Sequence, residues 1–436
     1  MKTKGMDKPK RISWINGLAF TLFFMGVPSL VYADINYILS KCHPYVTVEE
    51  EYNSNIFLSN NKNKIDDFIT TASVGLRFSA LEERRYGVDF DFRAGGVFYA
   101  KEHQFSYFDP SGSLNAWYAA TPRLTFRVRD YLIRSDAARE SVYTANAPPN
   151  QFLLSTTRGE QAIYLRNVVE PALEYRFGQE NLLSVLYRNN VYNNQNPQFE
   201  DSMENTINPK LTYWFDIRNG VSLDYYFTYN SYQLSPDQFI NAVTPRYTHR
   251  FNPRTSIFGE FHFEWQNFKS PGIDYYVYNP SLGMEYRFSP TLIGTAQAGY
   301  FWQTPEEGSR TSAPSLNLSL IKSEERTTYS LSFQGGYTED YITAENRGFS
   351  KYYRMYGTIT HRLTEKLTVG VTGSMERATF SNDQKDWIWG ISGNASYALL
   401  RWLSLSLQVE HHGDNSNISD LDYAQYRGIF RITATY

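Results

Sequence analysis

Hydrophobic and polar residues alternate one for one along most of this chain. Val221, Leu223, Tyr225, Phe227 and Tyr229 are interleaved with Ser222, Asp224, Tyr226, Thr228 and Asn230. Ile257, Gly259, Phe261, Phe263 and Trp265 are set likewise against Phe258, Glu260, His262, Glu264 and Gln266. The same pattern runs through Lys366–Gly373 and Leu403–Glu410. A period of two places successive side chains on opposite faces of a strand. These strands are long for a soluble sandwich, whose strands also alternate, and their outer face is uniformly apolar and aromatic.

The connections come in two lengths that take turns along the chain. Tight turns are expected near Glu82-Glu83, Thr121–Arg123, Gly178–Glu180, Ile217–Gly220, Asn252-Pro253, Ser289-Pro290, Glu324-Glu325, Leu363–Glu365 and Leu400-Arg401. Asn, Gly and Pro recur there, as turn geometry requires. Longer polar connections lie between them, the largest from Ser135 to Arg158. With flanking strands Tyr45–Phe57 and Leu421–Tyr436, the count is about 20, with about 18 as the alternative. Short turns alternating with long loops are the signature of a transmembrane antiparallel β-barrel, with the short turns periplasmic.

A repeat runs through the middle. Pro171, Pro209, Pro245, Pro280 and Pro314 each open a segment such as Pro-Ala-Leu-Glu-Tyr-Arg-Phe, and are spaced by 38, 36, 35 and 34 residues. Proline cannot donate to a ladder, so bulges or kinks are expected at these positions. A propeller also repeats at such periods, but its blade holds four short strands, and here each period holds two long ones.

Both ends of the chain agree with export. Residues 1–33 read as a secretory signal peptide: Lys2, Lys4, Lys8, Lys10 and Arg11 are followed by an apolar run and by Val31-Tyr32-Ala33. A retained membrane helix is the alternative, against which Asn16, Gly26 and Pro28 interrupt the run. Residues 34–43 read as a short periplasmic lead-in and 44–436 as the barrel. The last nine residues still alternate at the final position. Phe430, Ile432 and Tyr436 share one face, as in the C-terminal signal by which bacterial barrels are recognised for insertion.

Composition changes this picture little. Aromatic residues make up 17% of the chain, with 35 Tyr, 29 Phe and 8 Trp, yet the mean hydropathy is −0.49. Barrels combine these because only alternate residues meet lipid while aromatic girdles mark both interfaces. The leader has five basic residues and one acidic, so its removal takes the formal charge from −3 to −7. Such acidity gives no support to nucleic-acid binding. Cys42 is the single cysteine, so no intramolecular disulfide forms, and Leu39-Ser40-Lys41 before it argues against a lipid anchor.

Glu50-Glu51-Tyr52-Asn53-Ser54-Asn55-Ile56-Phe57, Ile65–Ile69, Val74–Phe78 and the Pro-x-Leu-x-Tyr-x-Phe strands resemble the putative β-barrel porin type 2 family. The likeness covers about Pro44 to Tyr436, although Ala72 or Ser73 stands where the N-terminal copy would carry its proline. Members of that family are associated with exopolysaccharide synthesis and export. The resemblance therefore implies an outer-membrane route for a polymer, with periplasmic polysaccharide-export proteins as partners.

The lumen of so wide a barrel is a water channel unless something blocks it. Arg127, Arg129, Arg166 and Arg188 are expected to form a basic lumen wall, with nearby carboxylates as the neutralising alternative. Glu260, His262 and Glu264 are expected to form an acidic and histidine group. Tyr164, Tyr192, Trp214 and Tyr226, with Phe258 and Phe301, are aromatics that could stack on sugar rings or pack against loops. His411-His412 with Asp414, Ser416 and Asp420 is the one cluster with enzyme-like residues, expected in an outer loop of ordinary composition. No metal spacing or cofactor motif is found. The expectation is an outer-membrane conduit, not an enzyme, meeting lipid, lipopolysaccharide and the barrel-assembly machinery. A diffusion porin for small solutes is the alternative, and a structural or adhesive surface barrel is the third.

Overall fold

A computed structural model describes residues 39–82, 85–136, 163–340, 348–381, 383–418 and 421–436. The expected leader (1–33), half of the lead-in (34–38), Glu83 of the first expected turn, most of the 135–158 connection and Asp420 lie outside the described residues.

Strong alternation and turn chemistry produce strands in order along the chain. They are β1 (Cys42–Asn53), β2 (Asp67–Glu82), β3 (Tyr86–Tyr99), β4 (Tyr107–Ala119) and β5 (Leu124–Asp136). Then come β6 (Ile163–Arg176), β7 (Leu182–Asn194), β8 (Ser202–Trp214), β9 (Asn219–Tyr232) and β10 (Gln238–Asn252). β11 (Thr255–Phe268), β12 (Tyr275–Ser289), β13 (Leu292–Pro305), β14 (Thr311–Ser323) and β15 (Thr327–Asp340) follow. The last five are β16 (Gly348–Arg362), β17 (Leu367–Phe380), β18 (Lys385–Leu400), β19 (Leu403–Ser416) and β20 (Tyr423–Thr435).

Each strand pairs antiparallel with the next, and β1 pairs with both β2 and β20, so the 20-stranded sheet closes on itself. Closure removes every edge, which backbone polar groups in a hydrocarbon layer require. Among the described residues, no helix is long and apolar enough to cross a membrane. Crossing is done by strands.

The two faces of the wall differ as the alternation demands. On β1, Val46, Val48 and Tyr52 are exposed outward, whereas Thr47, Glu49, Glu51 and Asn53 are buried inward. Phe92 and Phe98, Leu183 and Val185, and Leu407 and Val409 repeat the exposed outward row on other strands. Apolar outside and polar inside is the arrangement in which lipid, not water, covers the outer wall.

The structure corrects two local expectations. β1 was expected to run to Phe57, but it ends at Asn53. The Asn55 amide hydrogen donates to Asn53 Oδ1, while Asn55 and Ser59 cap each other through two further bonds. These side-chain bonds replace the ladder and turn the chain inward, as Asn does in turns. Ile56 and Phe57 pack against Ile69, Val97 and Tyr99, and Leu58 packs against Tyr423.

The prolines are not bulges. β6–β7 pairing passes from Val169↔Asn189 to Ala172↔Leu186 with the register kept, skipping Glu170 and Pro171. The same two-residue gap occurs at Pro209, Pro245 and Pro280, and β14–β15 pairing begins at Leu316, beyond Pro314. A missing N–H removes ladder bonds on one side only; the other side of Pro245 still pairs with Leu223. Pro245, Phe261, Pro280 and Tyr300 form one lateral row and line an outward recess of about 850 Å³.

Candidate functional site

The inner wall is where a passing solute would be met, and the register decides which side chains line it. On β5 the inward positions include Arg127 and Arg129, opposite Ala172 and Glu170 of β6. Arg166 on β6 and Arg188 on β7 share this face, so the structure brings the four arginines onto neighbouring strands.

Carboxylates stand among them. Arg127 Nε lies 2.8 Å from Glu174 Oε1, and Arg129 Nη2 lies 3.1 Å from Glu170 Oε2. Arg188 Nε is 3.4 Å from Glu170 Oε1 and 3.8 Å from Glu204 Oε1. Arg166 Nε instead donates to Asn190 Oδ1 at 3.2 Å. Among the described residues, three of the four arginines thus face the carboxylates of Glu170, Glu174 and Glu204, and Arg166 faces an amide.

From Asn190 a polar belt continues round the wall. Asn190 donates to Glu204, Thr206 bonds both Glu204 and Thr228, and Asn230 donates to Gln238. Gln238 donates to Gln266, which donates to Glu264. Glu264 is almost fully buried; Tyr226 donates to its Oε2 at 2.9 Å, and His262 Nε2 lies 3.3 Å away. His262 Nδ1 is 2.8 Å from Thr244 Oγ1. Glu260 receives Gln297 Nε2 at 3.2 Å and lies 3.7 Å from Arg246. Burying a charged group is costly unless it is multiply hydrogen-bonded, and this belt meets that condition.

The inward aromatics are mostly covered by protein. Tyr164 and Tyr192 stack on each other at 4.6 Å and are both buried. Trp214 lies flat across Gly220, where a Cβ would come within 2.6 Å of the ring, and the Arg250 guanidinium covers it at 3.5 Å. Phe258 lies across Gly283 in the same way beneath Arg246. Phe301 packs with Tyr275, Tyr337 and Phe349. Tyr226 is committed to Glu264 by its hydroxyl, with His262 beside its ring.

The histidine cluster was expected in an outer loop; instead it belongs to strand β19. Its alternation separates the members. His411 faces outward and stacks on Tyr426 at 3.8 Å, whereas Asp414 is fully buried on the inner face opposite Tyr423. At the end of the chain, Phe430 and Ile432 are exposed outward beside Glu50 and Val48 of β1. Tyr436 follows β20 and donates its amide hydrogen to Pro44 O.

Sequence reasoning missed the inner side of the closing seam. Arg427 holds Glu51 through Nε at 3.0 Å and Nη2 at 3.2 Å, and Glu410 through Nη1 at 3.1 Å. Gln425 donates to Asn53 Oδ1 and to Asn55 O, tying the inward segment to the same seam. A signal was present: inward Glu49 and Glu51 on the first strand match inward Arg431 and Arg427 on the last.

Residues 233–436, which hold β10–β20, match the family model described as Putative beta-barrel porin 2. No curated protein matches the chain. Among solved structures it is similar to the outer membrane protein OpdK from Pseudomonas aeruginosa, at 8% identity and TM-score 0.44, with 91% of this chain and 99% of that one covered. It is also similar to the siderophore receptor PirA from Acinetobacter baumannii, at 7% identity and TM-score 0.48, covering 90% and 80%. A third is a BenF-like porin from Pseudomonas fluorescens Pf-5, at 8% identity and TM-score 0.44, covering 92% and 100%.

Proposed function

We propose that this chain, a bacterial outer-membrane β-barrel with a porin-like pore whose residues 233–436 carry the porin 2 family signature, is a passive conduit for an exopolysaccharide. The observation that supports this reading is the charge-paired, amide-rich inner wall. A wall of Asn, Gln, Thr and Tyr groups in which Arg127, Arg129 and Arg188 stand beside carboxylates offers many weak hydrogen bonds. Such a surface suits a long hydrophilic chain that must slide, because a conducting site has to bind weakly enough to release. Periplasmic export proteins would supply the polymer and govern its entry.

Within this proposal Arg127, Arg129, Arg166 and Arg188 set hydration and register rather than anion preference. Reconstituted barrels should show weak selectivity in planar bilayers. Replacing all four arginines with Gln should shift it toward cations, because Glu170, Glu174 and Glu204 lose their cationic partners. Unchanged selectivity would remove the wall from the pathway.

A diffusion porin is the competing reading, favoured by the description of the matching family. The decisive experiment is deletion of the gene in its own host. Loss of surface polysaccharide with unchanged uptake of small sugars supports the conduit. Normal polysaccharide with impaired solute uptake, or rapid liposome swelling by graded sugars, would replace it with the porin.

A further inference from the structure

The lipid face of the barrel is not uniform. Across β5–β10 the outward apolar rows are interrupted by Asp130 between Val128 and Leu132, Asn167 between Leu165 and Val169, and Asn189 between Tyr187 and Val191. Asn205 between Met203 and Ile207, and Asn241 between Phe239 and Val243, continue the series. That they face outward follows from their same-face neighbours: Phe126, Leu173, Val185, Ile207 and Tyr247 are all exposed.

The five lie in one band. Asp130 is six residues from the outer strand end Asp136, Asn189 five from Asn194, and Asn167 four from Ile163. Asn205 and Asn241 are each three from Ser202 and Gln238. Other outward polar groups include the hydrogen-bonded pair Glu50 and Thr70, and Arg377 with Lys351 and Thr379 across β16–β17.

Part of their hydrogen-bonding capacity is met within the wall. Asn167 Nδ2 donates to Asp130 Oδ1 at 2.7 Å and to Tyr131 O. Asn189 Nδ2 donates to Asn205 Oδ1 at 3.0 Å, which also receives the Tyr187 hydroxyl. Asn241 Oδ1 receives the Tyr225 hydroxyl. Among the described residues the other ends have no side-chain partner, and they divide by flank. Acceptors remain on β5–β7 (Asp130 Oδ2, Asn167 Oδ1, Asn189 Oδ1). Donors remain on the far side (Asn205 Nδ2 on β8, Asn241 Nδ2 on β10).

Acyl chains have neither donors nor acceptors, and a polar group facing them is expensive. A two-fold axis along the membrane normal between β7 and β8 would lay the acceptor flank of one copy on the donor flank of another, an isologous contact. Five strand spacings of about 4.8 Å by a wall about 30 Å tall give roughly 700 Å² per partner, close to the ~800 Å² of a stable interface.

We propose that the outer wall of β5–β10 is the face through which two copies of this chain associate side by side in the membrane. This holds whatever the barrel conducts.

The test uses full-length protein in intact outer membranes, with Cys42→Ser removing the native thiol. Asn205→Cys, beside the axis, should give a covalent dimer on oxidation or with a short bis-maleimide. Met375→Cys, exposed outward on β17 five residues from Phe380, should not. In the Asn205→Cys background, Asn241→Asp sets acceptor against the acceptors of β5 and should reduce that dimer at least tenfold, in barrels still shown folded by heat-modifiable gel mobility. Equal linking from both cysteines, no linking from Asn205→Cys, or a monomer by native mass spectrometry would each overturn the proposal. So would a monomer that retains only lipopolysaccharide, or association through another wall.

Discussion

The seam that closes the barrel and the proline-bearing hairpins solve the same pairing problem in opposite ways. β1 and β20 come from the two ends of the described barrel and pair without interruption from Tyr45↔Thr435 to Asn53↔Arg427. Behind that ladder lie the Arg427 contacts to Glu51 and Glu410, and Arg431 on Glu49. In β6–β7, β8–β9, β10–β11 and β12–β13 the ladder is broken for two residues at each proline. Each gap lies inside a hairpin whose tight turn already fixes the register. No short turn joins β1 to β20, so that register rests on the ladder and on charge matching across it. Ladder bonds are dispensable where the chain itself holds neighbours together.

The largest expected effect breaks the seam. Arg427 and Glu51 are 6% and 1% exposed, so Arg427→Met leaves two buried carboxylates without their cation. Removing one partner of such a buried group costs about 3–5 kcal/mol. Denaturant unfolding in micelles, followed by tryptophan fluorescence and gel mobility, should show that loss. A change under about 1 kcal/mol, the range of exposed pairs, would mean that the ladder alone holds the seam.

Pro280→Val addresses the other side of the comparison. It restores a donor toward β13 and a residue type that strands favour, so stability should rise by about 1 kcal/mol with no change of register. A loss of several kcal/mol would show that the gap is required, not merely tolerated. Arg431→Gln sharpens the seam itself. Its side chain is 43% exposed against Glu49, so an effect of only about 0.2–1 kcal/mol is expected, smaller than that of Arg427.

The same contrast explains what could be read in advance. Alternation and turn residues are local, and they placed the tight turns among the described residues and strands such as β9, where Leu223 and Tyr225 are exposed outward as expected. The proline rows were visible, but whether a missing N–H yields a bulge or a gap depends on the neighbouring strand. Arg427 was overlooked as a site residue because its partners lie 376 and 17 positions away, so the matching charges on the first and last strands take on meaning only after closure. The arginines of β5–β7 could be assigned to one face, but their neutralisation depended on which carboxylate each register delivered. His411 and His412 were misread because Asp, Asn, Ser and Gly nearby suggest a loop, whereas pairing with β18 and β20 carries the strand through them.

The smallest expected effect lies at a tight turn, where the hairpins do their holding. Glu180, between β6 and β7, accepts two bonds from Arg250 of β10, at 3.0 and 2.6 Å. The Arg250 hydrogen bonds hold the Glu180 carboxyl below its usual pKa. A carboxylate with a lowered folded pKa stabilises fully above its unfolded value, near 4.3, and loses that contribution as pH falls through the folded value. Glu180→Gln should therefore cost at most about 1 kcal/mol at pH 7, given the exposure of the pair. The difference from the parent protein should shrink as pH drops below about 4. Thermal unfolding of the two proteins in one detergent, from neutral to acid pH, measures it. A difference that persists or grows at acid pH would place the contribution in the Gly178–Asn181 turn, not in the ion pair, and would weaken the case that such turns are reinforced by charge.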